Sequence, residues 1–144
     1  MSRLRETLRV GVSVAVVRQS DNALLLVRRG RPPAKDMWAF AGGKVEFGEP
    51  LTSAAVRELS EETGVVVNEA MLSFLRPVEI VMRDGEQVTS HYVLMCFLVE
   101  VLEAIPVAGD DAIEAGFFTI GEIRDLNVTP TTLEIAEEIC AQRM

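Results

Sequence analysis

The sequence has few of the residues from which disulfide frameworks and zinc sites are built. Its 144 residues include two cysteines, Cys96 and Cys140, and one histidine, His91. The two cysteines lie in separate apolar segments, which favours free thiols in a reducing compartment. We therefore expect no Cys/His zinc site. We expect His91, which lies in a strand-like segment, to be a structural or surface residue rather than a catalytic one.

Long apolar runs are also missing. The longest, such as residues 10–17, are far shorter than the ~20 residues that a membrane-spanning helix needs. Residues 1–10 carry charge but have no long apolar core and no small-residue cleavage site, so we expect no signal peptide. These absences predict no membrane partner and a cytoplasmic location.

Positive charge is in deficit. There are 14 lysines and arginines against 22 aspartates and glutamates, a formal net charge of −8. This argues against nucleic acid as a partner, because nucleic-acid binding needs a basic face. An anionic substrate would need bound cations or a local basic pocket. The most basic segment, residues 28–35, either forms a solvated loop or contacts phosphate through one or two of Arg28, Arg29, Arg31 and Lys35.

Hydrophobic patterning predicts a mixed set of strands and two helices. We expect strands at residues 8–17, 23–28, 65–67, 71–82 (interrupted by Pro77), 87–101 and 115–120. A helix is expected from Pro50, at the first helical position, to Thr63, with Gly64 as its stop. A second, amphipathic helix is expected from Pro130, with Thr129 as N-cap. This order predicts an α/β sandwich with a mixed sheet between helices, in one domain over residues 1–144.

Three glutamates share one edge of the first expected helix. Each residue turns the helix by ~100°, so Glu58, Glu61 and Glu62 face the same side, beside an apolar stripe. Like charges at this spacing destabilise a helix, and bound Mg²⁺ or Mn²⁺ would reverse that effect. The alternative for the helix alone is a solvated acidic face. Metal at these carboxylates would also let an acidic protein bind an anion.

The whole segment 43–65, GKVEFGEPLTSAAVRELSEETGV, resembles the Nudix box of the Nudix hydrolase family. That pattern is glycine, five residues, glutamate, seven residues, Arg-Glu, an aliphatic residue, any residue, Glu-Glu, any residue, glycine and an aliphatic residue. Every specified position matches: Gly43, Glu49, Arg57, Glu58, Leu59, Glu61, Glu62, Gly64 and Val65. One departure is Ala41, where many relatives have proline before the paired glycines.

The resemblance implies a Nudix fold and Mg²⁺- or Mn²⁺-dependent hydrolysis of a nucleoside diphosphate linked to another group. It assigns the metal to Glu58, Glu61 and Glu62 with the Gly42 carbonyl. It allows one of Glu58 and Glu61 to act instead as the general base, and it makes Arg57 the residue that orients Glu58. Structural support of the box then falls to Gly43, Glu49 and Gly64.

Family members often add a carboxylate from a loop late in the chain. Glu114 is the first choice for this metal ligand, ahead of Asp110 and Asp111 in the same segment, and Glu79 is a weaker alternative. The substrate contacts that we expect are Arg28, Arg31 and Asp111. Small members of the family are often homodimers, so the resemblance favours a homodimer that binds a small-molecule nucleotide.

Three functions stay open within this resemblance. ADP-ribose or another nucleoside diphosphate sugar is the favoured substrate. A MutT-like nucleoside triphosphate pyrophosphohydrolase, which sanitises the nucleotide pool, is the alternative. A nucleotide-binding Nudix module without catalysis fits less well, because such modules usually lose box carboxylates and this chain retains all of them. A purely structural acidic helix leaves the full match as coincidence.

Overall fold

The computed structural model describes residues 6–143, and the strands in that range form one mixed seven-stranded sheet. Its strands are β1 (Arg9–Arg18), β2 (Ala23–Arg29), β3 (Trp38–Ala39), β4 (Ala41–Lys44), β5 (Ser73–Asp84), β6 (Gln87–Val101) and β7 (Ala112–Phe118). The order is β3-β2-β1-β6-β5, with β4 paired to β1 and β7 paired to β2. Residues 1–5, part of the segment considered for a signal peptide, and residue 144 lie outside the described residues.

Within residues 6–143, three α-helices cover the two faces of the sheet: α1 (Leu51–Thr63), α2 (Ile120–Asp125) and α3 (Pro130–Gln142). Because side chains alternate across a strand, each strand contributes to two cores. The core under α1 contains Val12, Val14, Val16, Leu25, Val27, Ala54, Ala55 and Leu59. The core under α2 and α3 contains Ala15, Val17, Leu24, Leu26, Ile123, Ile135, Ala136 and Ile139. The expected sandwich of a mixed sheet between helices is therefore confirmed.

Within residues 6–143, no helix is both long and apolar enough to cross a bilayer.

The expected strand at residues 65–67 is wrong. Val65 and Val67 are each 6% exposed while Val66 is 78% exposed, so burial alternates as it would along a strand. The segment nevertheless pairs with no strand in the described chain, and it joins α1 to a short 3₁₀ helix, Glu69–Met71. Alternating burial alone does not make a strand when no neighbouring strand supplies hydrogen bonds.

Two other boundaries differ from expectation. β5 is not interrupted at Pro77, because it is an edge strand and the missing N–H of proline does no harm on the open side. The expected strand at residues 115–120 runs instead from Ala112 to Phe118 and gives way to α2. A capping box causes the change, in which Thr119 and Glu122 bond each other's backbone N–H groups.

The boundaries of both long helices lie close to the residues that local sequence signals predict. Pro50 is the N-cap of α1 rather than its first residue, and Gly64 caps the other end with φ 72°. Thr129 is the N-cap of α3, but its hydroxyl contacts Thr132 Oγ1 at 2.7 Å and not a backbone N–H.

We predict that Gly64→Ala lowers the free energy of unfolding by about 1 kcal/mol. A Cβ at Gly64 would meet only the Val107 carbonyl oxygen, at 3.9 Å, so the cost comes from the left-handed backbone. Urea unfolding measures it. Gly121→Ala is the control, since Gly121 lies in α2 with open space and no positive φ. The control should be neutral or stabilising, and equal destabilisation of both variants would contradict the assignment.

Candidate functional site

Arg57 of α1 is the centre of a dense hydrogen-bonded network. Its Nε and Nη2 donate to the two carboxylate oxygens of Glu49 at 2.8 and 3.0 Å. Its Nη1 donates to Oε1 of Glu58 at 2.8 Å and to Oε1 of Glu61 at 2.9 Å. Its Nη2 also donates to the Lys44 carbonyl at 3.0 Å. A guanidinium has five N–H donors, so each has a partner, and lysine could not make the same set of bonds.

Glu49 joins this network to the loop before α1. Besides the two bonds from Arg57, its Oε1 accepts from the backbone N–H of Glu46 at 3.0 Å. The Arg57 hydrogen bonds, followed by that N–H, lower the pKa of Glu49 to about 2. Glu49, first among its partners, raises the pKa of Arg57 above its ordinary range. Both side chains therefore stay charged, and they fix the loop at residues 44–49 against the helix.

Two box glutamates lie directly against the backbone of β4. Glu58 is 9% exposed, and a Cβ on Gly43 would lie 2.5 Å from Glu58 Cδ. Oε1 of Glu62 accepts the Gly42 N–H at 2.9 Å. Since the N–H and C=O of one strand residue point to the same side, the Gly42 carbonyl is also directed away from β1. Glycine at position 43 thus allows the Glu58 carboxylate to approach the strand closely.

Burial makes these carboxylates poor anions without a cation. It raises the pKa of Glu62 to about 7, although the Gly42 N–H acts in the opposite direction, and the charge of Glu58 raises it further. Burial also raises the pKa of Glu58, against the effect of Arg57. The negative charge at this end of α1 therefore exceeds what the neighbouring protein groups compensate.

The loop between β6 and β7 adds another carboxylate. The Gly109 N–H donates to the Glu62 carbonyl at 3.0 Å, and a Cβ on Gly109 would lie 2.5 Å from the Glu61 carbonyl oxygen. The next residue, Asp110, has a φ of 51°. The charge of Asp110 raises the pKa of both Glu58 and Glu62, so its carboxylate acts electrostatically on these two glutamates.

The structure places Glu114 and the expected substrate contacts in a different group. Glu114 Oε1 lies 2.9 Å from Arg28, which also contacts Asp36 at 3.2 Å. Alternation along β2 puts Arg28 on the sheet face that α3 covers. Arg31 and Asp111 form an ion pair at 3.1 Å. These residues contact one another and not the box glutamates. Glu79, the weaker candidate, lies 2.7 Å from His91 Nε2.

Of the three arginines Arg28, Arg29 and Arg31, Arg29 is the one that lies near the Nudix box. Its charge lowers the pKa of Glu62, and its Nε donates to the Pro33 carbonyl at 2.8 Å. Alternation along β2 places Arg29 on the side of the buried residues that pack under α1. That alternation was visible in the sequence and could have separated the two adjacent arginines.

Glu58, Glu61 and Glu62 suit a hard divalent cation. One oxygen of each, Oε1, is held by an N–H donor, and the described residues offer no partner to Oε2 of Glu58, Glu61 or Glu62. Carboxylate and carbonyl oxygens are the donors that Mg²⁺ and Mn²⁺ prefer. No three acidic, imidazole or thiol groups within residues 6–143 form a ready-made cage. The set therefore fits an ion that keeps several waters, as Mg²⁺ does.

We predict that the metal-free protein loses stability as the pH rises from about 4.5 to about 7. In this window folded Glu62 holds a proton that the unfolded chain, with a carboxyl pKa of 4.5, has released. Raising the pH then favours unfolding, by about 3 kcal/mol at most. Glu49, whose pKa is lowered to about 2, acts with the opposite sign below this window.

Thermal unfolding in EDTA at about pH 5 and about pH 8 measures the effect. Glu62→Gln is the control and should reduce the difference between the two melting temperatures. The interpretation is wrong if the variant keeps the full difference.

Known proteins are similar to this chain in sequence. The family model for the NUDIX domain matches residues 7–139. ADP-ribose pyrophosphatase of Methanocaldococcus jannaschii is 34% identical over 126 residues, which are 88% of this chain and 72% of that protein. 8-oxo-dGTP diphosphatase of Escherichia coli is 31% identical over 96 residues, 66% of this chain and 69% of that protein.

A solved structure has a similar fold. The MutT NUDIX hydrolase from Burkholderia pseudomallei superposes with a TM-score of 0.77 at 28% identity, covering 92% of this chain and 97% of that one. The expected Nudix fold is confirmed, and so is the expected enzyme class, a pyrophosphohydrolase acting on phosphoanhydride bonds. With the family model matching 7–139 around a complete box, the chain belongs to the Nudix hydrolase family.

Proposed function

We propose that this enzyme is a Mg²⁺- or Mn²⁺-dependent pyrophosphohydrolase that cleaves ADP-ribose or another nucleoside diphosphate sugar. The observation that carries the metal dependence is the set of three glutamates, each with one oxygen fixed and one uncommitted. The similarity to an ADP-ribose pyrophosphatase at 34% identity supports the substrate class. The carboxylates and the nearby Arg29 together suit a diphosphate that arrives with cations.

The protein's own groups have separate roles in this proposal. Glu58 and Glu62, with the Gly42 carbonyl, would hold divalent metal, and Glu61 would act on the attacking water. When bound, the metal neutralises charge on the diphosphate and lowers the pKa of bound water. Arg57 holds Oε1 of Glu58 and of Glu61, which leaves Oε2 of Glu58 for the metal and Oε2 of Glu61 for the attacking water.

We assign the general base to Glu61 ahead of Glu58. A general base must reach the attacking water within hydrogen-bond distance. The Glu61 side chain is 41% exposed, while that of Glu58 is 12% exposed and lies against the β4 backbone. Glu58 is therefore better placed as a ligand, and Glu61 as the group that takes the proton from water.

The carboxylate added from outside the box is, in this proposal, Asp110 rather than Glu114. Asp110 influences Glu58 and Glu62 electrostatically, and the backbone bond of Gly109 fixes its loop to α1. Arg29 is proposed as a contact for the substrate diphosphate, since it is the arginine on the same sheet face.

A nucleoside triphosphate pyrophosphohydrolase is the second candidate. The similarity to 8-oxo-dGTP diphosphatase, at 31% identity over 96 residues, favours it. A non-catalytic nucleotide-binding module is less well supported, because all box carboxylates are present and Glu58, Glu61 and Glu62 each keep one oxygen without a protein partner among the described residues.

We predict that a substrate panel with Mg²⁺ gives the highest kcat/KM for a nucleoside diphosphate sugar. Product analysis separates the candidates: ADP-ribose yields AMP and ribose 5-phosphate, whereas a triphosphate yields a nucleoside monophosphate and pyrophosphate. Glu61→Gln should lower kcat by about 10²–10⁴-fold. Glu103→Gln, a side chain 70% exposed, is the control for loss of one surface carboxylate. Nucleotide binding without turnover on the whole panel would favour the non-catalytic module.

We predict that Asp110→Asn raises the Mg²⁺ concentration for half-maximal activity by about 10–100-fold. Glu114→Gln removes the same charge from the same segment but acts on Arg28, so its effect on Mg²⁺ dependence should be much smaller. Mg²⁺ titrations of activity compare the two variants. A large shift in Glu114→Gln and none in Asp110→Asn would reverse the assignment.

A further inference from the structure

β5 is the edge strand on one side of the sheet. Among residues 6–143 its only strand neighbour is β6, although it is 12 residues long. An unpaired strand edge presents N–H and C=O groups that another chain can bind. Near the end of this strand, Val81 and Met82 are each 39% exposed. The edge therefore combines unpaired backbone with exposed apolar side chains.

The backbone of β5 shows which residues face the open side. In an antiparallel ladder, alternate residues direct both N–H and C=O to the same neighbour. The Met82 carbonyl accepts from Thr89 Oγ1 of β6 at 3.2 Å, so Met82 faces β6. Pairing with β6 is continuous from Pro77 to Met82, which puts Pro77, without an N–H, on the open side. By the same alternation, Glu79, Val81 and Arg83 direct their backbone N–H and C=O groups to the open side.

Charge on this edge is self-complementary. Of the described residues, none forms an ion pair with Arg83, and Glu79 uses only Oε2, in its contact with His91. The two side chains lie on one face of the strand, with Val81 midway between them. An identical strand running antiparallel about Val81 would place each arginine opposite the other copy's glutamate.

We propose that β5 pairs with β5 of a second copy of this chain, antiparallel about a two-fold axis at Val81. Arg83 of each copy then lies opposite Glu79 of the second copy, and each contact occurs twice, as a two-fold interface requires. On the other face, Met82 lies opposite the second copy's Ile80. Pairing over residues 78–84 ends at Pro77 in one strand and at Gly85, the turn residue with φ 64°, in the other.

Other registers lose this match. An axis at Glu79 or at Arg83 places like charges opposite each other, which destabilises a strand pair. An axis at Ile80 or Met82 leaves both charged side chains without a directly opposed partner. The axis at Val81 satisfies both charges and leaves proline outside the paired segment.

The size of this contact predicts a weak dimer. Three outward-facing residues in each strand give about six backbone hydrogen bonds. Seven paired residues bury less than the roughly 800 Å² per partner of a standard interface. We therefore expect association that depends on protein concentration.

Sedimentation velocity across a concentration series tests the dimer. Arg83→Glu should weaken association by about tenfold or more, because it places two like-charged pairs across the axis. Lys35→Glu, an exposed position outside β5, makes the same charge change and should leave association intact. The double variant Glu79→Arg with Arg83→Glu should restore it.

A cysteine at the axis tests the register. Cα atoms of a hydrogen-bonded antiparallel pair lie about 5.5 Å apart, within the range that a disulfide spans. In a Cys140→Ser background, mild oxidation of Val81→Cys should give a covalent dimer. Val88→Cys, 44% exposed on β6, should not. Two results would overturn the proposal. One is a protein that stays monomeric at every concentration and forms no cross-link. The other is a dimer that Arg83→Glu does not weaken and that Val81→Cys does not cross-link.

Discussion

The bonds of one guanidinium determine the geometry of this site. Arg57 holds Glu49, Glu58 and Glu61 at once and also binds the Lys44 carbonyl. Without that cation three carboxylates would repel one another at the end of β4. With it, the loop before α1, the helix and the strand become one rigid unit. Glycine at position 43 follows from this arrangement, because the Glu58 carboxylate occupies the space of a Cβ there.

Arg57 does not neutralise the site completely. Glu62 adds negative charge where burial disfavours it, the charge of Asp110 adds to the repulsion, and the pKa of Glu62 rises to about 7. A chain with a net charge of −8 can therefore take an anionic substrate only if cations come with it. The incomplete compensation gives divalent ions a reason to bind, and the N–H donors on the Oε1 atoms decide which oxygens remain for them.

Local features of the sequence predicted more than features that depend on strand pairing. The bounds of α1 follow from Pro50 and Gly64, and the shared face of Glu58, Glu61 and Glu62 follows from helical periodicity, so both were predictable. The strand at 65–67 was wrong because pairing depends on distant residues.

The same limit applies to the choice between neighbouring charged residues. Arg29 and Arg28 are adjacent, but a shift of one residue along a strand moves a side chain to the other face of the sheet. Asp110 and Glu114 differ because Asp110 lies in the loop that Gly109 fixes to α1, whereas Glu114 is already in β7, paired with β2.

The order of the strands separates the candidate active site from the open edge of β5. The box approaches the sheet through β4, which pairs with β1, and Arg29 lies on β2, while β5 is at the opposite edge. Two strands, β1 and β6, stand between β2 and β5, so about 14 Å of sheet divides them at the usual strand spacing. Pairing through β5 would therefore cover neither the box glutamates nor the loop with Asp110. Self-association at this edge is compatible with substrate entry in both copies.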